Sequence, residues 1–261
     1  MYLIETFFKL TALENDVAEQ SRLLNVLIDQ WRYNGQIIGR EIPLYLTEDT
    51  NVQGFAMRVI CPEQTSLYPE NNNAEVNHAL EKAEKCGLIF DGFQVIGDDL
   101  NSEQTASNSH PAWQMLYTTH LQSCSPLHSG ENFAPIALYK QLQNQPHLSQ
   151  DVIKWQENWQ VCDQLQMNGA ILEHQALNEI TDHQSTLTKH GRYLAQEIEK
   201  ISHIPTYYYL YRVGGKSLEN EQHRHCPECG GNWALKEPIF EIFHFKCDQC
   251  RLISNISWNF L

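Results

Sequence analysis

The first residues alternate at a period of two, with Tyr2, Ile4, Thr6 and Phe8 on one side, and their β-forming content predicts a strand. The period then lengthens to that of a helix. Asp16 with Glu19 makes a capping-box pattern, Val17, Leu24, Ile28 and Trp31 form the stripe, and Asn34-Gly35 supplies the stop. Extended patterning returns over Ile42 to Leu46 and Phe55 to Cys61, joined by the polar hairpin segment TEDTNVQG, with Phe55, Met57 and Val59 facing inward. A second helix fits Glu75 to Cys86, where Val76, Ala79, Leu80 and Ala83 share a face ahead of Gly87; Phe93 to Ile96 then closes the series as a strand. This β-α-β-β-α-β order predicts a ferredoxin-like N-terminal part.

Residues 98 to 110 lack apolar content and read as an exposed loop, after which Trp113 to Leu121 is expected to return to the same sheet. The stretch CSPLHSGENFAPIALY carries Pro126, Gly130 and Pro135 and reads as ordered but irregular. From Ser149 to His203 the period is helical again: Trp155, Trp159 and Cys162, then Ala170, Leu172, Ala176, Leu177 and Ile180, then a last helix over Leu187 to Ile201 that Pro205 ends. Thr206 to Val213 is an aromatic strand in which Tyr207, Tyr208, Tyr209 and Tyr211 should alternate between an inner and an outer face; outward tyrosines could form a contact surface, but a sheet packed by the helical region is the better account. The expected fold class is α+β, with a ferredoxin-like domain over 1–125, an irregular and helical region over 126–205, and a C-terminal all-β module over 206–261.

Cys226-Pro-Glu-Cys229-Gly-Gly and Cys247-Asp-Gln-Cys250 are two C-x₂-C pairs with 17 residues between them, the spacing of a metal site. Each pair can set two sulfurs on one face of a tight turn, which Gly230 and Gly231 suit, and two such turns complete a tetrahedron. The β-prone runs Trp233 to Leu235, Ile239 to Phe245 and Ile253 to Trp258, with Pro238 at a junction, make this a zinc ribbon around one structural Zn2+ ion. Iron in a rubredoxin-like site would use the same thiolates, and zinc is the preferred occupant. Four thiolates leave no open position for water, so the ion organises structure and does not catalyse.

Charge changes the picture. Eighteen basic against thirty-two acidic side chains give a formal −14, which opposes non-specific attraction to phosphate backbones. From Thr206 onward the two signs balance, and four thiolates around a divalent ion would turn that segment negative. The opening MYLIETFFKLTALEND carries no basic leader or small-residue cleavage site, and no apolar run approaches the roughly 18 residues of a membrane span. The expectation is a cytoplasmic protein without membrane association, whose eight cysteines are thiols and not disulfides.

IPTYYYLYR ahead of the cysteine pairs, CPECGGNW and FKCDQCRLISNISW around them, and the upstream GRYLAQEIEK helix resemble the domain-of-unknown-function 2310 family of bacterial proteins, with a likeness over most of the chain. That family is described as zinc-ribbon-containing and as a candidate nucleic-acid binder. The resemblance implies a cytoplasmic, zinc-binding, non-membrane protein with no established activity.

Arg224, His225, Trp233, Lys236, Lys246 and Arg251, with His223, His244 and Trp258 beside them, could pair cations with stacking surfaces as single-strand binders do. The competing reading makes the tryptophans packing residues and the cations solvated surface charges. Cys124 between His120 and His128 has the elements of an activated thiol but matches no catalytic spacing. It reads better as a buried structural cysteine, as do Cys61, Cys86 and Cys162, and His174, His183, His190 and His203 read as surface residues. No paired acid and base appears at defined spacing, so an enzymatic reading is the weakest. The expected function is a non-enzymatic zinc-ribbon protein that binds nucleic acid or a nucleoprotein partner. The alternative is an acidic protein–protein interaction adaptor or inhibitor in which the ribbon is only structural.

Overall fold

The structure is a computed structural model that describes residues 1–11, 17–49 and 52–260, so Asp16 and the centre of the TEDTNVQG segment lie outside the described residues. The strand and helix patterns at the start of the chain become β1 (Tyr2–Leu10), α1 (Val17–Asn34), β2 (Leu44–Asp49), β3 (Val52–Cys61), α2 (Ala74–Lys85) and β4 (Leu88–Asp98). The four strands form one sheet in the order β2-β3-β1-β4, with every neighbouring pair antiparallel. One apolar core joins Ile4 and Phe8 of β1, Phe55, Met57 and Val59 of β3, Leu24, Ile28 and Trp31 of α1, and Val76, Ala79 and Ala83 of α2. β4 outruns its apolar pattern because it pairs with β1 along the whole length of that strand. Cys61 is buried, whereas Cys86 is exposed: it caps α2 at its open end beside Gly87, whose φ is 77°.

The chain divides into two compact units, the first comprising Met1–Ser109, Ser123–Ser125 and Ala134–Ile153, the second His110–Gln122, Pro126–Phe133 and Lys154–Leu261. Besides the sheet above, the first unit holds α3 (Leu138–Leu142) and the beginning of α4 (Pro146–Asn168). The second is built on β5 (Gln114–Leu116), β6 (Leu127–Ser129), the remainder of α4, α5 (Glu173–Thr181), α6 (Thr186–Ser202), β7 (Thr206–Leu210), α7 (Leu218–Gln222), β8 (Ala234–Ile239), β9 (Phe243–Cys247) and β10 (Leu252–Asn255). Its strands make a six-stranded sheet in the order β6-β5-β7-β10-β9-β8.

Three expectations are corrected here. Residues 114–116 do not return to the first sheet but join the second, where Gln114 stands opposite Thr206. Tyr207, Tyr208, Tyr209 and Leu210 alternate faces as a strand requires, but neither face is open: all are buried. β7 runs parallel to both its neighbours, β5 and β10, and a central parallel strand is covered on both faces. On one of them Trp155 of α4 meets Tyr208 at 5.7 Å between ring centroids, and α6 lies so close that a Cβ on Gly191 would sit 2.2 Å from the Tyr208 ring. The third correction concerns residues 239–245, which are two strands and not one. Phe240 and Glu241 adopt φ of 53° and 60°, and Ile242 N–H donates to the Ile239 carbonyl at 3.2 Å, closing a two-residue hairpin turn. Left-handed backbone is unfavourable for residues with a Cβ. Phe240 offsets it by stacking on Phe133, 5.2 Å away at 19°.

Candidate metal centre

The cysteine segment is thus woven into the second unit, because β10, which follows its last cysteine, is an interior strand between β7 and β9. In the first turn Gly230 N–H donates to the Cys226 carbonyl and Cys226 N–H to the Gly231 carbonyl, both at 2.9 Å, and Gly230 takes φ 70°. In the second, Cys247 stands opposite Leu252 in the β9–β10 ladder, so residues 248–251 form a tight link, closed by Arg251 at φ 51°. Lys246 N–H donates to the Trp233 carbonyl at 2.8 Å and holds β9 against the strand that leaves the first turn.

This local geometry gathers the four sulfurs of Cys226, Cys229, Cys247 and Cys250 within 4.8 Å of one another. Cys229 Sγ and Cys247 Sγ are 3.8 Å apart, and all eight cysteines are free thiols. A tetrahedron with metal–sulfur bonds of about 2.3 Å has edges of about 3.8 Å, whereas a disulfide needs about 2.05 Å. The residues therefore fit a metal ion, and an all-sulfur donor set suits a thiophilic one, zinc or iron, over magnesium or calcium. Cys226 and Cys247 are buried, Cys250 is half-buried and Cys229 is exposed. The Gly231 amide and the neighbouring Cys250 thiol hold Cys229 down to about 7, while burial pushes Cys226 and Cys250 up.

Charged side chains brace both turns. Arg192 of α6 meets Glu228 in the first at 2.7 Å. Arg251, ending the second, reaches Glu199 of α6 with Nε at 2.9 Å from Oε2 and NH2 at 2.9 Å from Oε1, and its NH1 donates to the Asp248 carbonyl at 2.8 Å. Lys246 Nζ lies 2.7 Å from Asp248 and 4.3 Å from the Tyr207 ring centre, and Tyr207 donates its hydroxyl to Asp248.

Most of the residues proposed from sequence as contacts are committed inside the chain. Trp233 is buried and donates its indole N–H to the Arg224 carbonyl at 2.8 Å. The Arg224 guanidinium packs 4.9 Å from the Trp233 ring centre and 4.4 Å from that of Phe245, donates to Ser254 Oγ and the Asn255 carbonyl, and faces the buried Glu221, which Arg212 also grips. Burial lowers Arg224 to about 10, which leaves it charged at neutral pH. His225 and Lys236 are exposed. Glu199 and Arg192 escaped the sequence reading. They lie seven residues apart on α6, two helical turns, but their partners are 52 and 36 residues away.

Cys124 is buried, and burial pushes its thiol well above the ordinary value, so it is protonated at neutral pH and not the thiolate a nucleophile needs. His128 is fully buried between Tyr117 and Phe133, and burial pulls it down to about 4. His120 turns Nδ1 to Asp163 Oδ2 at 3.0 Å.

Three family models match the chain, each described only as a domain of unknown function: DUF8589 over residues 1–97, DUF2310 over 108–211 and DUF8594 over 215–260. The resemblance read from sequence is narrowed accordingly. GRYLAQEIEK and all but the last residue of IPTYYYLYR fall in the DUF2310 match, which spans 108–211 and not most of the chain, and all four clustered cysteines fall in the DUF8594 match. An uncharacterized protein of Haemophilus influenzae is 78% identical over 261 residues, covering 100% of both chains. A second uncharacterized protein of that organism is 73% identical over 208 residues, 80% of this chain and 98% of its own. No solved structure matches. Among the described residues no helix is long and apolar enough to cross a membrane.

Proposed function

The chain belongs to the family of these two Haemophilus influenzae proteins, and from that premise we propose that it is a non-enzymatic binding protein whose C-terminal zinc ribbon is structural and whose partner is another protein. Cys226, Cys229, Cys247 and Cys250 hold one Zn2+ ion, which when bound crosslinks the two turns. The chain's own contribution is to present four sulfurs within 4.8 Å of one another from turns that hydrogen bonds already shape. The strand order and antiparallel pairing of the first sheet support a ferredoxin-like reading of the N-terminal part. Free thiols throughout fit a reducing, cytoplasmic setting.

One observation carries the choice of partner. Arg224, Lys246 and Arg251 each spend their charge on an acidic group of the same chain, on a protein that is already formally −14. Affinity for a phosphate backbone scales with the number of phosphates neutralised, and His225 and Lys236 alone supply little. An acidic surface instead complements a basic protein. Titration of labelled single-stranded RNA and DNA at two salt concentrations tests this. We expect no saturable binding at low salt. Salt-sensitive binding that Lys236→Ala and His225→Ala weaken would restore the nucleic-acid reading.

A further inference from the structure

We propose that Glu199 and Arg251 form a clamp that shapes the second cysteine turn and so sets the affinity of the four thiols for their ion, an inference that rests on the metal-site reading above. The two turns differ tellingly at the position that follows their second cysteine. The residue after the second cysteine of each pair is left-handed in both, but it is glycine in the first, Gly230 at φ 70°, and arginine in the second, Arg251 at φ 51°. Glycine adopts this backbone freely and arginine does not. An arginine held there needs compensating contacts, and it makes three kinds.

Its guanidinium forks both oxygens of Glu199, its NH1 grips the Asp248 carbonyl between the two cysteines of the turn, and its own carbonyl accepts the Tyr208 N–H at 2.8 Å where the β7–β10 pairing begins. Glu199 is fixed in its turn. It stands on α6, whose Leu194, Ala195 and Ile198 are buried, and its Oε2 accepts the Thr206 N–H at 2.9 Å. The second turn is therefore shaped through its backbone from a rigid helix. The first turn is met from the same helix by a side-chain pair, Arg192 with Glu228. Holding ligands near their bound geometry reduces the ordering that binding requires, and groups that orient ligands typically change metal affinity by about 10–100-fold when removed.

The test measures Zn2+ affinity by competition with a chromophoric chelator, and Co2+ absorption spectra, on full-length wild type, Glu199→Gln, Arg251→Gly and the double variant, with far-UV circular dichroism confirming each fold. Glu199→Gln keeps an oxygen for the Thr206 amide and removes the charge. We expect each single variant to bind Zn2+ about tenfold more weakly, with altered Co2+ bands, and the double variant to be no weaker than the singles because one clamp is broken in all three. Arg251→Gly is the discriminating variant, since it relieves the backbone; if arginine merely occupies a left-handed position, binding is unchanged or tighter. Wild-type affinity in both single variants, or losses that add in the double variant, would overturn the clamp alone. A wild type that takes up neither ion overturns the metal-site reading and the clamp with it.

Discussion

Arg224→Ala separates the two roles available to this side chain most sharply. It removes a cation packed against two rings, Trp233 and Phe245, worth about 0.5–2 kcal/mol each where water is excluded, and charge-assisted bonds to Ser254 and Asn255 worth about 1.5–3 kcal/mol. The Arg224 side chain is only 17% exposed and that of Glu221 3%, so screening discounts little of this. Arg212 still neutralises Glu221 in the variant, which keeps the loss from growing into that of an unpaired buried carboxylate. Since these contributions overlap, we expect a net loss of about 3 kcal/mol, a fall in Tm on the order of 10 °C for a unit of this size. Thermal and urea unfolding of zinc-loaded protein read it directly. Arg224→Lys should recover less than half, because an ammonium cannot spread over two adjoining rings while donating to two acceptors. Unchanged stability together with lost nucleic-acid binding would refute the reasoning and return Arg224 to a contact surface.

Three further outcomes follow from the second unit. His128 is held at about 4 in the folded chain against 6.5 in the unfolded one, so the unfolded chain binds the proton more readily between those values. Stability is therefore full above pH 6.5 and declines toward pH 4, by about 1.4 kcal/mol at pH 5.5; urea midpoints at pH 7.5 and 5.5 should differ in wild type and converge in His128→Phe, and an identical pH slope in the variant would contradict this. Gly191→Ala gains about 1 kcal/mol of helix propensity but places a Cβ 2.2 Å from the Tyr208 ring and 2.4 Å from Trp155 Nε1, where overpacking costs about 1–3 kcal/mol or more, so Tm should fall and a rise would show that α6 packs otherwise. Removal of the metal by chelation should abolish amide protection in β8 and β9 while β7 and β10, paired to each other, keep theirs; equal loss in all four strands, measured by hydrogen exchange, would contradict the interlocked sheet.

The parts legible in the sequence were those specified by near neighbours. The stripes Leu24-Ile28-Trp31 and Val76-Ala79-Ala83 follow from helical period, and the cysteine cluster from spacing within each pair. What failed depended on distant partners. The three residues of β5 carry no signal of which sheet they enter, because their place is decided by Thr206, 92 residues on. An aromatic run such as Tyr207 to Leu210 fits a half-exposed strand or a wholly buried one, and only the parallel neighbours decide. The turn at Phe240 and Glu241 lacks the glycine or asparagine that would announce it. Arg251 looked like a free cation because Glu199 lies 52 residues away, and Arg224 because the rings that bury it, Trp233 and Phe245, come later in the chain, although its acidic partner Glu221 is only three residues before it.

The central claim is that four cysteines present tetrahedral thiols to one zinc ion. Elemental analysis of protein purified without added metal, for wild type and for a Cys226→Ser/Cys247→Ser variant, tests it most directly. We predict one zinc per wild-type chain and almost none in the variant; a wild type without stoichiometric metal, or a variant that retains it, would contradict the account.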